Sequence, residues 1–152
     1  MIMVLNDVLI KQNVITKILL KEGDKELSKE LKVKIMRIRM AYNKIKKNYD
    51  DEVKEFTEEL IPQEFKELSQ KVNKTDEDQL KLGEMEVKIN SEYQEFLSQK
   101  VNEKVECIDD TFTMDDYSDI IEVNAGNDVV INNNLIKAPD FLEIIYDLFV
   151  KE

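Results

Sequence analysis

The chain reads as an α+β protein that is mainly α: long helical-hairpin or coiled-coil-like helices, a small antiparallel β element and a C-terminal helix. Three observations predict this. Glycine (3) and proline (2) are too few among 152 residues for the many tight turns of an all-β sandwich or barrel. Charged residues make up 36% of the chain, above the usual ~25%, which suits exposed helical faces. Apolar residues then recur at steps of three and four from Leu27 to Leu60, through Leu31, Ile35, Ile38, Tyr42, Ile45, Tyr49, Val53 and Phe56.

Met1 to Leu5 predicts a short strand. Asn6 then reads as an N-cap, with a helix to about Glu22 ended by Gly23. Asp24 would cap the long helix, which Pro62 stops after roughly 55 Å at 1.5 Å per residue. A short amphipathic helix over 63–73 carries Phe65, Leu68 and Val72, and a polar break follows. Met85, Val87 and Ile89 alternate with charges. That pattern predicts a strand, then a helix over 91–103 supported by the Ser91/Gln94 capping pair, then a strand over 104–108. The stretch from Asp109 to Asp119 reads as an acidic loop. The runs 120–123 and 129–131 read as a hairpin about Asn124–Asn127, with a second turn at Asn132–Asn134. Pro139 opens a C-terminal helix whose apolar residues Phe141, Leu142, Ile145, Leu148 and Phe149 need a receptor. The organisation expected is a long-helix core with short strands over 1–108 and an acidic loop, hairpin and helix over 109–152, joined as one continuous domain.

Several function classes are excluded or disfavoured. There is no histidine, so Ser–His and Cys–His nucleophile activation and histidine-ligated metals are out. The single cysteine, Cys107, allows neither an internal disulfide nor a cysteine-based zinc site, and reads as a small buried hydrophobe. Gly23, Gly83 and Gly126 stand alone, so no phosphate-binding glycine loop is present. The acids Asp109, Asp110, Asp115, Asp116 and Asp119 are of the type that holds Mg²⁺ or Ca²⁺, but their spacing is not that of a calcium-binding loop, and a solvated acidic loop is the simpler reading. No catalytic residue, cofactor or metal is assigned. No apolar run reaches the length of a membrane span, and the first ten residues lack a basic leader and a cleavage site, so a membrane role and secretion by a signal peptide are not expected.

The net charge of −11 is unevenly spread. Lys29 to Lys47 holds eight Lys or Arg and one acid, whereas Glu103 to Glu152 holds thirteen acids and three lysines. Such runs read either as solvated faces or as surfaces that pair, within one molecule or between neighbours. Nucleic acid is a weaker option for the basic helix, because the whole chain repels phosphate and no stacking-aromatic module is visible. Lys44, Lys46 and Lys47 are the candidate interface cations; Leu142 and Phe149 are the candidate contact residues of the C-terminal helix.

The segments Val4-Leu5-Asn6-Asp7-Val8-Leu9, Lys47-Asn48-Tyr49, Val87-Lys88-Ile89-Asn90 and Glu92-Tyr93-Gln94-Glu95-Phe96, with a strand over Val101–Ile108, resemble a family of small uncharacterised phage proteins. Its members are encoded near tail and lysis genes in viruses of low-GC Gram-positive bacteria. The resemblance spans roughly Leu5 to Ile108 and departs by an insertion near Pro62–Asn73 and by a longer C-terminal region. The family has no assigned catalytic residues, and none is transferred. What it implies is a non-enzymatic tail, neck or ring component, or assembly factor, working through itself or other virion proteins in the host cytoplasm or the virion. The alternative expectation is an acidic inhibitor of a host nucleic-acid-binding defence or transcription protein, steered to it by charge.

Overall fold

The computed structural model describes residues 1–151. The order is β1 (Ile2–Val4), α1 (Leu5–Ile15), β2 (Lys21–Glu22), β3 (Lys25–Glu26), α2 (Lys29–Leu60), α3 (Gln63–Gln70), α4 (Asp76–Val101), β4 (Lys104–Glu106), α5 (Met114–Asn124), β5 (Val129–Ile131), β6 (Asn134–Ile136) and α6 (Ala138–Phe149). Helix accounts for 66% of the residues and the strands form small antiparallel pairs, so the fold is α+β and mainly α.

The chain forms two compact units, Met1–Lys46 with Lys104–Glu152, and Lys47–Glu103. A boundary near residue 108 therefore does not divide the core, because segments on both sides of it build the first unit. There β1 pairs antiparallel with β4, Met3 opposite Val105, and Met1 and Cys107 extend the ladder through a 2.9 Å Cys107 N–H to Met1 carbonyl bond. The core gathers Val8 and Ile15 from α1, Leu31, Ile35, Ile38 and Tyr42 from α2, Ile120 and Val123 from α5, and Phe141, Ile145 and Phe149 from α6, with Phe112 between them. The end of α6 is pinned to Phe112, whose N–H donates to the Phe149 carbonyl at 2.8 Å and whose carbonyl accepts from Lys151 at 3.1 Å.

Several local expectations are corrected. Helix α1 ends at Ile15, not near Glu22. Thr16 turns its hydroxyl back to the carbonyls of Gln12 and Asn13, and the Arg39 guanidinium takes the carbonyls of Ile15 and Ile18. A half-buried cation thereby satisfies carbonyls that a helix C-terminus leaves without partners. Gly23, at φ +59°, is the turn glycine of the β2–β3 hairpin and not a helix cap. Asp24 lies in the same turn; Ser28 supplies the cap of α2, its Oγ accepting from Leu31 N–H at 3.2 Å.

The expected acidic loop is only partly a loop. Thr113 and Asp116 form a reciprocal capping box, with bonds of 3.0 and 3.1 Å, that starts α5. Residues 120–123 are consequently helical, and the hairpin is instead β5–β6 about Asn132 and Asn133. Both asparagines have positive φ (51° and 64°), as a two-residue turn matched to strand twist requires. Pro139 opens α6 as expected, and Asp128 Oδ1 accepts the Ala138 N–H at 2.9 Å, placing a negative charge at that helix's N-terminus.

In the second unit the Met85–Ile89 strand does not form. Helix α4 runs unbroken from Asp76, started by a Thr75–Asp78 capping box. Met85 and Ile89, one turn apart, are half-buried while Val87 is exposed, which is helical and not strand spacing. The seam of this unit is marked by a parallel stack of Phe56 on Phe96, ring centroids 3.9 Å apart, and by ion pairs of Lys100 with Glu52 and with Glu103. None of its side chains reaches full burial.

Candidate protein-interaction surface

The basic run is placed on α2, whose stripe Leu31, Ile35, Ile38 and Tyr42 is turned into the core. The spacing that buries these residues distributes the cations around the remaining faces. Two reach across to the acidic segment within the same unit. Arg37 holds Asp110 at 2.7 Å, and Lys34 holds Asp116 at 3.1 Å while its ammonium lies 5.8 Å from the centre of the Phe112 ring. Lys32 pairs with Glu26. Two of the eight cations of the run are thus matched to the acidic segment inside the molecule.

Burial acts to raise the Asp116 carboxyl, but the Thr113 N–H and the Lys34 ammonium outweigh it and hold the group below its ordinary value. Burial also pushes the Tyr42 phenol up to about 12, with negative charge at Cys107, Asp109 and Asp110 adding to it. It raises the Cys107 thiol as well, so this buried group lacks the lowered pKa of a reactive thiolate. Among the described residues no three His, Cys, Asp or Glu side chains converge on a point that could hold a metal ion. Of the acids of 109–119, Asp110 is engaged by Arg37, and Asp116 by Lys34 and the Thr113 cap.

The candidate interface residues fall in different places. Lys44 is exposed; Lys47 is exposed and pairs with Asp51 at 3.2 Å; Lys46 is half-buried, so the three do not form one patch. Phe149 lies in the unit's own core at 1% exposure, and Leu142 is half-buried against that core, its carbonyl accepting from the Tyr117 hydroxyl at 2.7 Å. These two are folding contacts of α6.

The sequence reading missed a second apolar line on α2. Val33, Met36 and Met40 are exposed by 55%, 51% and 71% on the side away from the buried stripe. Their i, i+3, i+7 spacing places them on one face, and Lys29, Arg37 and Lys44 flank them. The signal was legible as a second apolar periodicity, but the stronger stripe masked it. Elsewhere the described residues contain no helix long and apolar enough to cross a membrane.

Comparison with protein-family models, with curated proteins and with solved structures gave no match.

Proposed function

We propose that this chain is a non-enzymatic structural or assembly protein of a phage particle, a tail, neck or ring component or an assembly factor, acting through protein–protein contacts in the host cytoplasm or the virion. The observation that carries the reading is the two-sided character of α2. One apolar face is spent on the core, and a second, Val33–Met36–Met40, stands in solvent with Lys29, Arg37 and Lys44 beside it. Methionine at such a face suits a contact surface because the unbranched thioether adapts to its partner. The resemblance of residues 5–108 to phage proteins encoded near tail and lysis genes supplies the setting.

Mass spectrometry of particles and assembly intermediates from producing cells tests it. The chain should co-purify with them, and Met36→Glu/Met40→Glu should abolish that association while the protein stays folded. Absence from every particle and intermediate, with recovery of a host nuclease or polymerase instead, would replace this reading with that of an acidic inhibitor.

A further inference from the structure

The second unit carries sixteen acids and eight lysines, a net −8, and its helix α4 has an exposed apolar face of its own. Leu80 and Val87 are exposed by 66% and 71% and stand either side of Gly83, with the same i, i+3, i+7 spacing as Val33, Met36 and Met40. The two lines differ where it matters for packing. At the centre of one is the long side chain of Met36. At the centre of the other is a glycine with nothing within 4 Å of where its Cβ would stand, in a shallow depression of about 450 Å³. A methionine seated over a glycine is a knob in a hole. The flanking charges are also opposed. Lys29 and Lys44 lie one turn outside the α2 line, whereas Asp76 lies one turn before Leu80 and Glu84 one turn after it.

Resting on the reading of the α2 face as a protein-binding surface, we infer that its occupant is the α4 face of a second copy of this chain. Cations predominate one turn from the α2 line, where Glu30 is outnumbered by Lys29, Arg37 and Lys44, and Asp76 and Glu84 make the α4 line acidic. Pairing either face with itself sets like charges together and leaves Gly83 or Met36 without a counterpart, whereas pairing the two faces matches charge and shape. The contact joins unlike faces, so two copies can meet reciprocally about a two-fold axis, or copies can join head to tail into a ring or filament. Two helix faces of about four turns bury less than the standard interface, so single contacts are weak and assembly is sensitive to salt.

Sedimentation of the whole protein at low and physiological salt tests this. The wild type should form concentration-dependent oligomers that dissociate as salt rises. Lys29→Glu/Lys44→Glu and Asp76→Lys/Glu84→Lys should each weaken self-association by about tenfold or more, while their equimolar mixture should regain it, because each now offers the charge the other lacks. Gly83→Leu should abolish assembly by filling the notch, in a protein that circular dichroism shows to be at least as helical as wild type. Association of Gly83→Leu and Asp76→Lys/Glu84→Lys at wild-type strength overturns the inference. If Met36→Glu/Met40→Glu still abolishes association in that case, the α2 face survives as a binding surface with another occupant. A wild type that stays monomeric up to about 1 mM at low salt also overturns self-assembly, leaving the α2 surface to the particle experiment.

Discussion

Asn124 and Leu19 hold each other by both backbone groups of the leucine. The Asn124 Oδ1 accepts the Leu19 N–H at 2.8 Å and its Nδ2 donates to the Leu19 carbonyl at 3.1 Å, across 105 residues of chain. The same amide also donates to the Ile120 carbonyl and accepts from Asn127, so the one fully buried polar side chain among the described residues is fully satisfied. Removing it strands a peptide N–H and carbonyl in an apolar setting. Asn124→Ala should cost about 2–3 kcal/mol, lowering Tm by about 5–10 °C in calorimetry. A smaller effect than Ile121→Ala, on the exposed side of the same helix, would refute the role assigned to this amide.

The C-terminal helix closes the core, so its two named apolar residues should differ in proportion to burial. Phe149, which packs on Phe112 with ring centroids 5.5 Å apart, should lose about 3–5 kcal/mol on truncation to Ala. Half-buried Leu142 should lose about 1–2 kcal/mol. Urea denaturation measures both. Removal of the chain from Pro139 onward should leave a protein that fails to give a cooperative transition.

Acid should unfold the first unit partly through Asp116 and Asp128. The Thr113 and Lys34 bonds hold the first carboxyl below its ordinary 3.8, and the Ala138 N–H and Lys137 hold down the second. A folded-state pKa below the unfolded one means stability that is fully present above about pH 5 and lost as pH falls through 3.8 toward the folded value. Asp116→Asn should therefore lower stability at pH 7 and flatten the acid limb of a Tm-versus-pH curve. An unchanged slope would show that this carboxylate contributes nothing to acid sensitivity.

Hydrogen exchange should separate the two units. The first has a fully buried core, whereas Lys47–Glu103 rests on half-buried contacts such as Phe56 on Phe96. Amides of α3 and α4 should exchange faster than those of α1 and α6. Phe96→Ala should accelerate exchange in 47–103 well before it affects 1–46 or 104–151.

The lysines of α2 should part company under substitution. Exposed Lys44 and Lys47 changed to Glu together should alter stability by no more than about 0.5 kcal/mol, since Lys and Glu have similar helix propensity and the Lys47–Asp51 pair is exposed. Lys46→Glu, at a half-buried position, should lower Tm measurably more.

What the sequence determined by itself was local and periodic. The stripe from Leu31 to Tyr42, the strand at Lys104–Glu106, the asparagine turn and the proline-led helix α6 each follow from spacing or from backbone chemistry that a few neighbouring residues decide. Tertiary contacts decided the rest. Alternating Met85, Val87 and Ile89 fit strand and helix alike, and the seam that half-buries the outer two while exposing Val87 selects the helix. β-Branched Ile120, Ile121 and Val123 suggested a strand, but burial of Ile120 and Val123 three residues apart, with Ile121 outside, made them helical. The Thr113–Asp116 pair has the spacing of a capping box, but a cluster of acids resembles a solvated loop until one of them caps a helix. Helix α1 stops at Ile15 because Arg39, twenty-four residues on, takes its carbonyl, and Arg37 meets Asp110 across seventy-three residues. Periodicity carries no information about such pairs, since the free energy that selects them arises only once the core has brought the segments together.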